Sequence, residues 1–282
     1  MEVGHFNIVA IIQARLGSKR LPEKVLMPLP VDSKNTIISR IVGAIKNVEP
    51  INEIFLATSK DSKNDRLEGV CDQNKISCYR GSENDVLSRF YDIVKDTNFD
   101  YVLRFTADNP IIDQDFLNSF IQNHTDKNLD YSCSSGLPIG CNFEMIKSSA
   151  IIEAYNNTDN PFDKEHVTPY IKNNFSKKET YKYKTSKETA NLRFTIDYAS
   201  DYAFMSLMYS MLGPKEHYRL EDFLKLLSQK PWLKTINTGN IQKTKTENLE
   251  EEIDIALTIT KELELNLLTN LLIDAQKKGD NL

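Results

Sequence analysis

Residues 8–24 read IVAIIQARLGSKRLPEK, an apolar run followed directly by a positively charged loop. The run is short, aliphatic and largely β-branched, which is typical of a strand buried on both faces of a parallel sheet. The loop contains Gly17 and Ser18 among its cations, which are Arg15, Lys19, Arg20 and Lys24. Backbone N–H groups and guanidinium groups at a strand end can bind phosphate oxygens. The stretch therefore predicts a phosphate-binding loop, with a solvated basic turn as the alternative.

The glycine pattern of this loop excludes two common phosphate-binding motifs. The Gly-Lys-Ser/Thr ending of a P-loop is absent. The three-glycine spacing of a dinucleotide-binding turn is also missing.

The composition favours a soluble protein with a small anionic ligand. The chain has 282 residues and a net charge of −5, which disfavours general nucleic-acid binding. No apolar run approaches the roughly 20 residues of a membrane span, and the first strand runs directly into basic residues, unlike a signal peptide. We therefore expect a cytoplasmic protein with no membrane span. The spacing of its four cysteines fits no zinc site and predicts free thiols.

The first half of the chain alternates between strand and helix patterns. Buried strands are predicted at residues 9–12, 53–58, 77–80 and 101–105, and helices at residues 36–48, 61–74 and 85–97. This βαβαβαβ order predicts an α/β protein, with a mostly parallel sheet covered by helices on both faces.

The second half of the chain is less regular. Strands are predicted at residues 131–134, 142–146, 181–184 and 191–196, and helices at residues 148–155, 165–173, 200–212 and 220–228. Residues 246–278 predict one long or broken helix, and the polar residues 237–247 are the best candidate for a linker.

Two aspartates follow predicted strands in the same way as the basic loop. Asp108 follows the strand at 101–105, and Asp197 follows the strand at 191–196. Ligands of open α/β sheets bind beyond the carboxyl ends of the strands. Since Mg²⁺ prefers carboxylate and phosphate oxygens, the pair fits a nucleotide–Mg²⁺ site. For each aspartate the alternative is a helix N-cap.

The basic loop carries a motif that consists of Ala14-Arg15, Ser18, Arg20-Leu-Pro and Lys24. This motif resembles the opening motif of the CMP-sugar synthetases, which include the CMP-KDO synthetases. The chain is more closely similar to the spore coat polysaccharide biosynthesis protein F group, a cytidylyltransferase-like branch. Further blocks of that group are matched in order at residues 80–91, 102–113, 138–144, 165–171 and 192–201. The resemblance covers residues 7–235.

The resemblance implies a Rossmann-like nucleotidyltransferase domain at residues 1–238. The helical pattern near the C-terminus predicts a helical extension at residues 239–282, and the tail from residue 240 has no counterpart in the resemblance. Nucleotidyltransferases of this kind use CTP and Mg²⁺ to activate an acidic sugar, release pyrophosphate, and are expected to be homodimers. By position, the resemblance implies four triphosphate-binding residues: Arg15, Ser18, Arg20 and Lys24. It implies Mg²⁺ ligation by Asp108 and Asp197, and places three residues near the base and ribose: Arg80, Ser82 and Asp85. The expected catalytic residues are Arg15, Lys24, Asp108 and Asp197.

Two residues depart from the family pattern. Glu23 replaces a frequent glycine and would weaken phosphate binding unless it points outward, and Asn142 stands where an acidic residue is common. These departures leave open the alternative of a catalytically silent partner subunit. A second alternative is a nucleotidyltransferase that uses another NTP or a phosphorylated acceptor. A glycosyltransferase is disfavoured, since no Asp-x-Asp motif is evident after a strand. Arg193 and Arg104 fit either an acceptor-binding role or a structural ion pair.

Overall fold

The structure, a computed structural model, describes residues 6–215, 217–240 and 249–279. The chain divides into two compact units, Met1–Asn240 and Ile241–Leu282. Within the described residues, the first unit is built on a seven-stranded sheet. Its strands are β1 (Ile8–Gln13), β2 (Ile51–Ser59), β3 (Ser77–Gly81), β4 (Tyr101–Thr106), β5 (Tyr131–Ser135), β6 (Glu144–Lys147) and β7 (Lys178–Lys182).

The helices of the first unit fall mostly where the apolar periodicity predicts them. They are α1 (Ile37–Lys46), α2 (Arg66–Asn74), α3 (Val86–Val94), α4 (Gln114–Asp126), α5 (Ser148–Asn157), α6 (Pro161–His166), α7 (Pro169–Asn174), α8 (Lys187–Ala190), α9 (Ala199–Leu212) and α10 (Leu220–Gln229). Short 3-10 turns lie at Lys24–Leu26, Ser62–Asn64 and Pro231–Ile236.

The strand order is β3-β2-β1-β4-β6-β5-β7. Strands β1 to β4 are mutually parallel, with Ile11 in register with Phe55 on one side and Arg104 on the other. Strand β6 runs antiparallel to both β4 and β5, and β7 is parallel to β5. The predicted mostly parallel α/β sheet is therefore confirmed, and the carboxyl ends of β1 to β4 share one edge.

Helices cover both faces of the sheet. Ile8, Ala10 and Ile12 contribute to one buried apolar cluster, whereas Val9 and Ile11 contribute to the other. This division follows from the two-residue period of a strand, which directs alternate side chains to opposite faces. Because β1 is buried on both faces, it is a rigid base for the loop that follows it.

Two local predictions were wrong, and one helix was missed. Residues 191–196 form no strand, since Arg193 makes only an isolated bridge with Ile139 and the chain then turns so that Ile196 N–H donates to Asp108 C=O. Helix α4 was not predicted. The single helix expected at 165–173 is replaced by the ends of α6 and α7, which meet at Val167, where φ is 71°.

The second unit contains two helices, α11 (Leu249–Glu262) and α12 (Asn266–Gly279). They are joined by a turn at Glu264, where φ is 55°, and Gln276 Nε2 donates to Asp254 Oδ1 at 2.8 Å. Over residues 249–278 the predicted helix is therefore broken, while residues 246–248 lie outside the described residues, as does most of the predicted linker. None of the described helices is both long and apolar enough for a bilayer crossing.

Candidate active site

The basic loop at the end of β1 is held by a few backbone hydrogen bonds. Leu16 N–H donates to Asn64 Oδ1 at 2.8 Å, and Leu16 C=O accepts from the N–H groups of Ser18 and Glu23. Leu16 and Asn64 are both buried, so they anchor the loop to the core. The Arg15 side chain, just before Leu16, is exposed. Further along the loop, Ser18 Oγ accepts a long hydrogen bond of 3.4 Å from Leu21 N–H.

Lys24 is the centre of the site. Its ammonium group is buried and donates to Asp108 Oδ2 at 2.8 Å, to Asp197 Oδ1 at 2.9 Å and to Ile196 C=O at 2.7 Å. The lysine comes from the loop after β1, Asp108 follows β4, and Asp197 precedes α9. A single cation thus connects three segments that are far apart in the sequence, and it brings the two predicted carboxylates together.

Asp197 is surrounded by positive charge. Arg20 Nη2 lies 3.2 Å from its Oδ1, and Arg193 Nη2 lies 3.0 Å from its Oδ2. Burial alone raises the pKa of Asp197, but Lys24, Arg20 and Arg193 outweigh this effect and lower the pKa below its usual value. The carboxylate is therefore ionised at neutral pH. Arg20 also stacks over the Tyr198 ring, 4.6 Å from its centroid.

Asp201 holds the backbone of Asp197 and the side chain of Arg193 in place. It is fully buried and its Oδ2 accepts from the N–H groups of Asp197 and Tyr198, each at 3.0 Å. Arg193 Nε donates to Asp201 Oδ1 at 3.0 Å, and Asn237 and Asn240 donate to the same oxygen. Asp201 thus sets the position of the Asp197 backbone. The sequence signal for this role is an aspartate in the first turn of α9, where a carboxylate can accept from free N–H groups.

The N-cap alternative is wrong for both aspartates. The N-cap of α4 is Asp113 and that of α9 is Tyr198. Arg193 is buried in ion pairs with Asp197 and Asp201, so of the two roles left open for it the structural one is observed.

The three residues predicted near the base and ribose form a separate group at the end of β3. Arg80 pairs with Asp65 at 2.6 Å and Glu68 at 2.9 Å. Ser82 Oγ accepts from Asp85 N–H at 3.1 Å, and Asp85 Oδ1 caps α3 by accepting from Ser88 N–H at 2.8 Å. None of these contacts joins them to the Lys24 cluster, so the two groups occupy different places along the same edge.

A cavity of about 260 Å³ opens at the end of β4, lined there by Thr106 and Asn109, which flank Asp108 in the sequence. Its polar lining includes Arg104, Thr106, Asn109 and Glu144, and Phe105 and Phe143 are among its apolar walls. Arg104 is already engaged, since Nη1 donates to Glu144 and both Nε and Nη2 donate to Gln13 Oε1.

Glu144 is the acidic member of the cavity lining. Its Oε1 accepts from Tyr131 Oη at 2.5 Å and lies 2.9 Å from Lys172 Nζ. Although burial raises the pKa of Glu144, the charges of Arg104 and Lys172 dominate and lower it to about 2. The cavity therefore contains an ionised carboxylate and a paired arginine.

Glu23 lies in an exposed ion pair and not among the partners of Lys24. It pairs with Arg66 at 2.7 Å, and more than half of each side chain is exposed. The left-handed conformation of Glu23, with φ of 54°, accounts for the glycine that is frequent at this position in similar proteins. The negative charge of Glu23 is therefore offset by the positive charge of Arg66.

The site has the donors of a two-carboxylate Mg²⁺ site completed by phosphate. Within the described residues no cluster of three or more His, Cys, Asp or Glu side chains could hold a metal. Asp108 and Asp197 nevertheless converge on one cation, and Asp108 Oδ1 accepts no hydrogen bond within the part of the chain that the structure describes. Two carboxylates fit Mg²⁺ when substrate phosphates and water supply the remaining ligands.

Solved structures share this fold. A cytidylyltransferase from Leptospira borgpetersenii serovar Hardjo-bovis (strain JB197) is 24% identical, with a TM-score of 0.74 over 85% of this chain and 100% of that chain. A CMP:2-keto-3-deoxy-manno-octonic acid synthetase, solved with CTP, is 13% identical, with a TM-score of 0.56 over 73% of this chain and 99% of that chain. The architecture is thus that of a nucleotidyltransferase.

Sequence comparison identifies the family to which the chain belongs. The spore coat polysaccharide biosynthesis protein SpsF of Bacillus subtilis (strain 168) is 29% identical over 233 residues, which is 80% of this chain and 95% of SpsF. The pattern that defines the cytidylyltransferase family matches residues 9–236. The chain belongs to the cytidylyltransferase family, and the predicted resemblance is confirmed.

Proposed function

We propose that this protein transfers CMP from CTP to a sugar acid or a related cell-surface polysaccharide precursor, with release of pyrophosphate and with Mg²⁺ as cofactor. The observation that carries the proposal is the contact of Lys24 with both Asp108 and Asp197. It gathers positive and negative groups at the sheet edge where ligands of this architecture bind. Family membership and the similarity to SpsF support the nucleotide and the acceptor class.

The reaction needs fixed charges more than a dedicated base. An acceptor oxygen attacks the α-phosphorus in line, and the bond to the pyrophosphate oxygen breaks. Negative charge increases on the leaving pyrophosphate, and fixed cations stabilise it. Arg15, exposed on the loop, and Arg20 would contact the phosphates, while Lys24 holds the carboxylates and the loop together.

Asp108 and Asp197 are the residues that would hold Mg²⁺. Asp108 is the better placed of the two, because about a quarter of its side chain is exposed and one of its oxygens is uncommitted within the described structure. When bound, the ion supplies Lewis-acid polarisation of phosphate oxygens. Asp197 is engaged on both oxygens by Arg20, Lys24 and Arg193.

The acceptor would occupy the cavity at the end of β4. Its volume of about 260 Å³ suits a group of monosaccharide size rather than a larger ligand. Thr106 and Asn109 flank Asp108 in the sequence and line this cavity, so an acceptor held there would lie beside the phosphate-binding groups.

The test is pyrophosphate release with CTP, UTP, ATP and GTP over a panel of sugar acids, with and without Mg²⁺. Mg²⁺-dependent release with CTP and one acceptor supports the proposal. Release with another nucleotide, or with a phosphorylated acceptor, supports the alternative nucleotidyltransferase, because Arg15 and Arg20 would contact phosphate and not base. The absence of CTP binding in calorimetry would contradict a CTP-using enzyme.

The remaining alternative is a catalytically silent partner subunit with this fold. Glu23 was one of its two grounds, and the exposed ion pair of Glu23 with Arg66 removes that ground. Asn142 remains, as an exposed residue in the cavity lining. We further propose a cytoplasmic homodimer whose partners are small molecules and not nucleic acid. Light scattering of the purified protein tests the dimer directly.

A further inference from the structure

Arg89 is a buried cation on the core-facing side of α3. Only 4% of its surface is exposed, and its helical neighbours Val86, Phe90 and Ile93 are buried apolar residues. Placing a guanidinium group in such surroundings costs considerable free energy unless each donor finds a partner. The identity of those partners therefore indicates what the residue does.

The partners of Arg89 are neutral carbonyl groups of one loop. Its Nε donates to Ser82 C=O at 2.6 Å and its Nη2 donates to Glu83 C=O at 2.9 Å. Within the described residues no carboxylate lies within ion-pair distance of Arg89, so its charge is not cancelled by a direct partner. The guanidinium group thus fixes the backbone of the loop between β3 and α3.

Gly81 makes room for this contact. A Cβ atom at Gly81 would lie 2.9 Å from Arg89 Cγ and 2.9 Å from Tyr79 Cε1, closer than side chains tolerate. At its other end the loop is held by Ser82 Oγ, which accepts from Asp85 N–H at 3.1 Å. The loop is therefore held at both ends, and Arg89 is the tertiary contact that sets its path.

A second uncancelled cation lies within electrostatic range. Burial lowers the pKa of Arg89 and the charge of Arg15 lowers it further, while the carboxylates of Glu83 and Asp85 offset this only in part. Arg15 is exposed and forms no ion pair within the described part of the chain. The exposed guanidinium group of Arg15 is therefore free to contact an anionic ligand on that side of the sheet edge.

We propose that Arg89 is a positioning residue for the nucleotide, which holds the loop at residues 82–85 in the shape that binds CTP. The inference rests on the proposed use of CTP, because Ser82 and Asp85 in this loop are the residues expected near the base and ribose. Arg89 acts through the loop, and its charge adds to that of Arg15.

The experiment measures CTP affinity by calorimetry for wild-type protein, Arg89→Met and Arg89→Lys. We expect Arg89→Met to weaken binding at least about tenfold, since two bonds from a charged donor are lost. Arg89→Lys retains the charge but cannot reach both carbonyls, so its affinity should lie between those of wild type and Arg89→Met.

Arg40→Met is the matched control. Arg40 also donates to a backbone carbonyl, that of Leu29, and stacks over Tyr209 at 4.6 Å, away from the β3–α3 loop. It should lower thermal stability while leaving CTP affinity within about twofold of wild type. An equal loss of affinity in Arg40→Met would show that destabilisation alone explains the effect.

Gly81→Ala provides a second approach if Arg89→Met does not fold. It leaves Arg89 in place but forces its stem away from the loop, and we expect a loss of CTP affinity in the same direction. Wild-type affinity in either Arg89→Met or Gly81→Ala overturns the proposal. No CTP binding by the wild-type protein overturns the proposed function itself, and the role of Arg89 with it.

Discussion

At the scale of single residues, Lys24 determines the electrostatics of the site. Its ammonium group is the shared partner of Asp108 and Asp197, and both aspartates would repel one another without it. A buried lysine with three oxygen partners is well satisfied, so its removal leaves unpaired acceptors behind.

We predict that Lys24→Met lowers kcat/KM at least about a hundredfold, because a charge that orders the transition-state contacts is lost. The measurement is steady-state pyrophosphate release. Lys63→Met, which changes an exposed lysine, is the control and should behave as wild type. Turnover within threefold of wild type in Lys24→Met would exclude a central role for this residue.

Asp108 provides a separate test of the metal site. Asp108→Ala should reduce turnover at least about a hundredfold, by analogy with other electrostatic contacts at transition states. Asp115→Ala removes an exposed carboxylate whose ion pair in the described structure is with Arg219, at 3.3 Å, and it should have little effect. Unchanged turnover in Asp108→Ala would remove Asp108 from the proposed Mg²⁺ ligands.

At the scale of elements, the first turn of α9 positions the site. Asp201 accepts from the Asp197 N–H group and pairs with Arg193, while fully buried. Asp222 occupies the equivalent position in α10, where its Oδ2 accepts from Arg219 N–H at 3.0 Å. The two aspartates share a capping role, but only Asp201 is built into the buried network.

We predict that Asp201→Asn destabilises the protein by about 3 kcal/mol or more, since the buried guanidinium group of Arg193 loses the charge of one of its two carboxylate partners. It should also lower kcat, because Asp197 loses its backbone anchor. Asp222→Asn should cost no more than about 1 kcal/mol and leave kcat unchanged. Urea unfolding and steady-state kinetics distinguish these outcomes, and equal costs for both variants would contradict the assignment.

Most elements are predicted from their periodicity, but α4 was missed although its buried residues have helical spacing. Strand β1 is a continuous apolar run, and α3 has apolar residues at helical spacing, so both were predicted correctly. Helix α4 reads QDFLNSFIQNHTD and contains several residues of low helix propensity, which explains why it was missed. Residues 191–196 have β-branched and aromatic character, yet they pair with Ile139 at a single bridge.

The candidate site was predictable only in part. The residues now seen around Lys24 were selected because they follow apolar runs and match a family motif. The supporting contacts of Asp201, Glu144 and Arg89 could not be predicted, since burial and partner choice arise from tertiary packing. Arg104 and Gln13, for example, lie 91 positions apart in the sequence and meet because β1 and β4 are adjacent.

At the scale of the whole molecule, the two apolar core clusters are formed by described residues of the first unit. The two core clusters draw on described residues up to Leu233 and Ile236. We predict that a chain ending at Asn240 folds and keeps its melting temperature within about 3 °C of the full-length protein, a shift that corresponds to about 1 kcal/mol. Calorimetry on both chains tests this. Insolubility or a much larger shift would show that residues 241–282 contribute to folding.

Acid sensitivity is a second property of the whole fold, and it depends on His124 in α4. The imidazole is fully buried, its Nδ1 lies 2.6 Å from Ser132 Oγ, and its Nε2 has no hydrogen-bond partner within the described structure. Burial lowers the pKa of His124 to about 4. The unfolded chain, with a histidine pKa near 6.5, therefore binds more protons than the folded protein between these two values.

The stability that His124 contributes is therefore present above pH 6.5 and is lost as the pH falls towards 4. Between pH 7.5 and pH 5 we predict a loss of about 2 kcal/mol in the free energy of unfolding from this group. Glu144, with a pKa of about 2, should add its own loss of stability only below the unfolded value of about 4.5, so it does not contribute between pH 7.5 and pH 5.

Urea unfolding at the two pH values should show a smaller difference for His124→Gln than for wild type, whereas His217→Gln, at an exposed position, should retain the wild-type difference. If all three proteins lose the same free energy, then His124 is not the group that makes this fold acid-sensitive.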